Sequence, residues 1–152
     1  MAMNLAQATS ESSIGSRYGS EAVTHGIRVR VIPAYIEKHS SPTDRKFAFA
    51  YRITITNESD RRVRLDSRHW IIVDGHGRRE EVSGNGVIGQ NPGLDPGESF
   101  EYASHCVLKC NWGTMEGSYR FHPEGAEPFD AQIARFYLVA EAEHEREHSA
   151  QA

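Results

Sequence analysis

The chain has two cysteines in 152 residues, Cys106 and Cys110. That is too few for a disulfide framework and agrees with a reducing compartment. No apolar run approaches the roughly 20 residues that a membrane-spanning helix requires. The first residues also lack the basic start and apolar stretch of a secretory signal, so a cytoplasmic location is the expectation. Helical periodicity is missing between the two ends of the chain, and so is any internal repeat. Charge of one sign is scarce as well. Of the net −4, the residues Glu141, Glu143, Glu145 and Glu147 against Arg146 account for −3, and Glu11 and Glu21 against Arg17 for −1. The stretch 23–140 therefore holds 15 acidic and 15 basic residues, and specific nucleic-acid binding is not expected of it.

A chain of this length suits one domain with a sizeable core. Residues 1–22 are rich in Ser, Ala, Thr and Gln and read as a flexible arm. Residues 23–139 form the domain, and 140–152 a charged tail. Within the domain the apolar pattern has period two. Phe47, Phe49, Tyr51, Ile53 and Ile55 alternate with Ala48, Ala50, Arg52, Thr54 and Thr56, which places five large apolar groups on one face of a strand. Ile27, Val29 and Val31 alternate with Arg28 and Arg30 until Pro33, which predicts an edge strand or bulge.

Further strands are predicted over 63–73, 79–83, 98–108, 114–121 and 128–138. In the last, the apolar parity changes between Ile133 and Phe136, so a bulge is expected near Ala134. Seven short strands with turn signals such as Asp74-Gly75 and Asp95-Pro96-Gly97 predict an all-β, two-sheet antiparallel sandwich. Without a cysteine pair to bridge the sheets, it is expected to be of the fibronectin type III variety of immunoglobulin-like fold.

Two features carry the candidate sites. The string Gly84, Asn85, Gly86, Val87, Ile88, Gly89 has the spacing G-x-G-x-x-G, but no helix follows it, and a dinucleotide loop must join a strand to a helix. Its preferred reading is architectural, with Val87 and Ile88 plugging one end of the sandwich. The alternative is a weak site for phosphate, pyrophosphate or nucleotide. In that reading, N–H groups around Gly84, Gly86 and Gly89 converge on the anion and Arg68 and His69 supply positive charge. The second feature is Trp70 with Ile72 and Arg64, which share the outward parity of the 63–73 strand and form a candidate partner-binding surface. A bulge near Ser67 would instead bury Trp70.

Taken together, four separated stretches resemble the bacterial ApaG family over residues 23–138. They are Ser67-Arg68-His69-Trp70, the string from Gly84 through Gln90 to Pro92, Leu94 with Pro96-Gly97 before Phe100-Glu101-Tyr102, and Gly113 to Tyr119. The resemblance implies a fibronectin type III-like sandwich, an indirect association with cobalt and magnesium resistance, and kinship to domains used for protein interaction. It carries no catalytic residues with it.

The remaining chemistry is thin. Cys106 and Cys110 form one loose pair, and strand parity turns His105 away from Cys106, so no metal site is assigned. Asp66 and His69 fall on opposite faces, no nucleophile sits on a recognisable elbow, and no enzyme activity or cofactor is expected. The expected partner is another protein, and the expected state a monomer or weak homodimer. The alternative is a small-ligand sensor at the glycine loop, with a divalent ion as a further option.

Overall fold

A computed structural model describes residues 17–140. Nine strands follow one another: β1 (Ser20–Thr24), β2 (Ile27–Tyr35), β3 (Phe47–Asn57), β4 (Val63–Asp74), β5 (Arg79–Asn85), β6 (Gly93–Leu94), β7 (Ser99–Leu108), β8 (Trp112–Pro123) and β9 (Phe129–Val139). The only helical turns among the described residues are two 3-10 turns, Glu37–His39 and Pro42–Asp44. One sheet has the order β1-β2-β3-β7. The other has the order β5-β4-β8-β9, with β6 on β4, and all pairs are antiparallel. The predicted sandwich is therefore present, with β1 and β6 added. Residues 20–22, expected in the arm, belong to β1. Residues 1–16 of that arm and 141–152 of the tail lie outside the described residues.

The alternation in 47–57 is realised, with Phe49, Tyr51, Ile53 and Ile55 buried against Tyr119, Phe121, Phe136 and Leu138 of the opposite sheet. Pro33 is tolerated because β1 pairs with β2 only as far as Val31, which leaves the next residues of β2 at an edge.

Two bulges shift the register. On β9 one extra residue lies between Ile133 and Phe136, as the parity change predicts. On β4 the extra residue is Asp66, because Leu65 pairs with Phe121 and Ser67 with Arg120. The second bulge corrects the surface reading of Trp70 and Ile72. Each bulged residue flips the parity of everything after it. Trp70 is 4% exposed and packs against Tyr51, Tyr119 and Phe136. Ile72 is half-buried against the same core. Only Arg64, which precedes the bulge, keeps its outward face.

The two sides of the sandwich are built differently. On one, β9 lies against β1 and β2. Ser20 Oγ donates to the Ala134 carbonyl at 2.6 Å, Gln132 N–H to Thr24 Oγ1 at 3.0 Å, and Tyr137 N–H to the Tyr18 carbonyl at 2.8 Å. The β9 bulge frees the Ala134 carbonyl for this use. On the other side β5 and β7 are the free edges of their sheets.

Candidate functional site

Arg68 follows the bulge and shares the core-facing side of β4 with Trp70. Its register neighbours are Tyr119 on β8 and Gly84 on β5. A Cβ on Gly84 would stand 2.8 Å from Arg68 Nη2 and 2.9 Å from Cζ, so the glycine makes room for the guanidinium. Nη1 donates to the carbonyls of Asn85 and Gly86, both at 2.8 Å. The structure thus brings Arg68, Gly84 and Gly86 together.

The polarity is the reverse of an anion site. The loop offers carbonyl oxygens to arginine, while the N–H groups of Gly86, Val87 and Gln90 donate to the carbonyls of Asp66, Gln90 and Val87. An anion nest requires convergent free N–H groups, and these three are engaged. Gly86 and Gly89 have φ of 58° and 75°, which explains glycine in so tight a turn. Val87 plugs the core, whereas Ile88, expected to do the same, is 56% exposed. His69 faces the other side of β4, with Nε2 3.8 Å from Glu81, and does not join Arg68.

Beside Arg68 the inter-sheet space opens between β5 and β7. The core-facing positions of β5 are Glu80, Val82 and Gly84, opposite Ile72, Trp70 and Arg68. Those of β7 include Tyr102, Ser104 and Cys106, opposite Ile53, Tyr51 and Phe49. Although it faces inward, Val82 remains 37% exposed, so this flank is open to solvent at its edge. Behind it, in the buried core, the Tyr102 and Tyr119 hydroxyls are hydrogen-bonded across the sheets at 2.5 Å.

Burial pushes the Tyr51, Tyr102 and Tyr119 hydroxyls above their usual value, and nearby Arg68 acts in the opposite direction. Burial, with a smaller push from Glu80, raises the Cys106 thiol to about 12. From the sequence Cys106 stands out only as half of a loose cysteine pair, and nothing there joins it to the three tyrosines. The available signal was polar Ser104 and Cys106 continuing the inward parity of Phe100 and Tyr102.

Arg64 lines a groove of about 520 Å³ with Arg62, Asn91, Gly93, His122 and Glu124. It donates to Asp66 at 2.8 Å, so its charge is already paired within β4. Among the described residues no three His, Cys, Asp or Glu side chains gather as a metal site would require. No described helix is long and apolar enough to cross a membrane.

With this geometry in hand, relatives decide the family. The family model for the ApaG domain matches residues 37–123, which span β3 to β8. The chain belongs to the ApaG family. The ApaG protein of Anaeromyxobacter dehalogenans is 49% identical over 120 residues, covering 79% of this chain and 94% of that protein. An ApaG protein of a Methylobacterium species is 48% identical over 118 residues, covering 78% and 91%. A Bordetella pertussis crystal structure named for ApaA superposes with a TM-score of 0.74 at 43% identity, covering 78% of this chain and 96% of that one. The ApaG match thus spans the bulged β4, the glycine loop and the open flank.

Proposed function

We propose that this member of the ApaG family is a non-enzymatic binding module that recognises another protein, and that the open flank is where it does so. The observation that supports this reading is β7. Its ten residues form a sheet edge with backbone groups turned to solvent, and Ser99–Leu108 contains neither proline nor lysine, the usual blocks to strand addition. Its one carboxylate, Glu101, is paired with Arg52 of the same sheet at 2.7 Å. Val107 stands 59% exposed on this edge. An extended peptide can add to such a strand through main-chain hydrogen bonds and read the adjoining flank with its side chains.

The nucleophile-bearing groups behind this flank favour binding over catalysis, because Cys106 and the three tyrosines are held in their neutral forms at physiological pH. In this reading any effect on cobalt or magnesium tolerance passes through the partner. Affinity purification with wild type and Val107→Lys tests it. The expected result is a reproducible partner that the lysine variant loses while keeping its melting temperature. Equal capture by both removes the edge from the proposal, and turnover of a metabolite by the homogeneous protein removes the non-enzymatic reading.

A further inference from the structure

At the end of the sandwich where β3 and β8 begin and β4 and β7 finish, a pocket of about 260 Å³ is lined by Arg45, Phe47, His76, Lys109, Asn111 and Trp112, among others. No acidic side chain lines it. The nearby carboxylates are engaged elsewhere: Asp44 accepts from Ser41 Oγ at 2.8 Å, and Asp74 accepts the N–H groups of His76 and Arg78. Among the described residues neither Arg45 nor Lys109 has an acidic partner within 4.0 Å, whereas the arginines along the sheet faces at 28, 52, 120 and 135 are all paired.

Two further observations mark the place. Arg45 sits at φ 57° and ψ 45°, a left-handed conformation uncommon outside glycine, at the end of a tight turn. Trp112 is 44% exposed, with its indole lying over Gly75, where a Cβ would collide with it. Two cations, a histidine and a half-open aromatic ring form a site for a carboxylate-bearing peptide rather than for an apolar group.

The strand that ends here identifies the peptide. Ala140 N–H donates to the carbonyl of Asn111, itself a lining residue, at 2.9 Å. The next residues are Glu141, Ala142, Glu143, His144, Glu145, Arg146 and Glu147, with a formal charge of −3. Seven residues reach at most about 23 Å, so each of these carboxylates can come to the pocket without moving the sandwich. Tethering also gives the segment a local concentration on the order of millimolar.

We propose that the pocket is a carboxylate site whose occupant is the chain's own acidic segment Glu141–Glu147. The pairing would be between these carboxylates and the cations Arg45 and Lys109. The proposal is independent of the open flank, which lies on the β5/β7 side.

Amide spectra of the full chain test it, comparing wild type with a variant carrying Gln at positions 141, 143, 145 and 147. The Gly75, His76 and Lys109 amides and the Trp112 indole N–H are expected to differ by several line widths between the two, while β3 amides coincide. At about 0.5 M salt, where screening lengths fall to a few ångströms, the difference is expected to collapse. Arg45→Asn, a residue that tolerates the left-handed turn, combined with Lys109→Ser should remove it at low salt. Coincident pocket signals in wild type and the Gln variant overturn the proposal. Movement of those signals only when a separate Glu-rich peptide is added to either protein also overturns it, because the tail would then not be the occupant.

Discussion

Along the β1/β9 flank the two sheets are joined by Ser20, Thr24 and the backbone at Tyr18, whereas along the β5/β7 flank an inward-facing valine is left in contact with solvent. The two flanks differ because the β9 bulge turns a free carbonyl toward β1, while the β4 bulge turns Arg68 inward, where it holds the glycine loop and stands beside the tyrosine hydroxyls. One irregularity closes a seam and the other props a flank open. An edge strand with unused backbone groups is a liability unless covered, so the open flank is where a partner is expected.

The contrast predicts a hierarchy of effects. Largest is the shared floor beneath both flanks. Phe49→Asp should abolish folding, since an unpaired carboxylate would enter the core, and Trp70→Ala should cost about 3–5 kcal/mol in chemical denaturation. A soluble Phe49→Asp protein with unchanged melting would refute the facing of β3.

Next comes alkaline stability, which belongs to the open flank alone. The folded Cys106 thiol titrates at about 12 against an ordinary 9.0. A raised pKa leaves the native state at full strength below pH 9, and stability is then lost as the unfolded thiol ionises and the pH climbs through the folded value. Between about pH 9 and 12 this group contributes a loss of up to about 4 kcal/mol, so Cys106→Ala should flatten the decline. Identical urea midpoints for both proteins across that range would count against the burial of the thiol.

Smaller again is the hydroxyl pair. Tyr119→Phe strands the buried Tyr102 hydroxyl and should cost about 1–3 kcal/mol, whereas removing both hydroxyls should cost less than the single change. A double-mutant cycle without coupling would show that the two do not meet. Smallest is the direct flank comparison. Ser20→Ala on the closed side should lose about 1 kcal/mol, and Val82→Ser on the open side less than about 0.5 kcal/mol. Equal losses in thermal melts would erase the distinction between the flanks.

Much of the architecture is legible in the residues. The 47–57 and 114–121 strands declare their buried faces, and the bulge near Ala134 is visible as a change of parity inside one strand. The β4 bulge is harder, because one parity from Val63 to Val73 is apolar apart from Ser67 and His69 while the other carries Arg62, Arg64, Asp66 and Arg68, so an unbroken strand reads as facing inward with the first set. Trp70 and Ile72 therefore read as outward unless a bulge intervenes, and only the pairing with β8 shows that it does. The candidate site is only half legible: the glycine string reads first as architecture, which its tight turn agrees with, but the alternative that sets Arg68 beside the loop N–H groups around an anion does not foresee the guanidinium donating to the loop carbonyls. The tyrosines read as ordinary core positions, and Cys106 enters the sequence reading only as half of a loose cysteine pair.

Period-two alternation is a local property, set by the geometry of each strand, and so the residue order was enough to establish an all-β sandwich and most of its core. Which strands become neighbours depends on pairings between distant segments, such as β4 with β8, where one extra residue at Asp66 shifts everything that follows. That shift decided that Trp70 is core, that Arg68 faces inward and that one flank stays open, because the packing of two sheets, and not the pattern within one, sets which parity is buried.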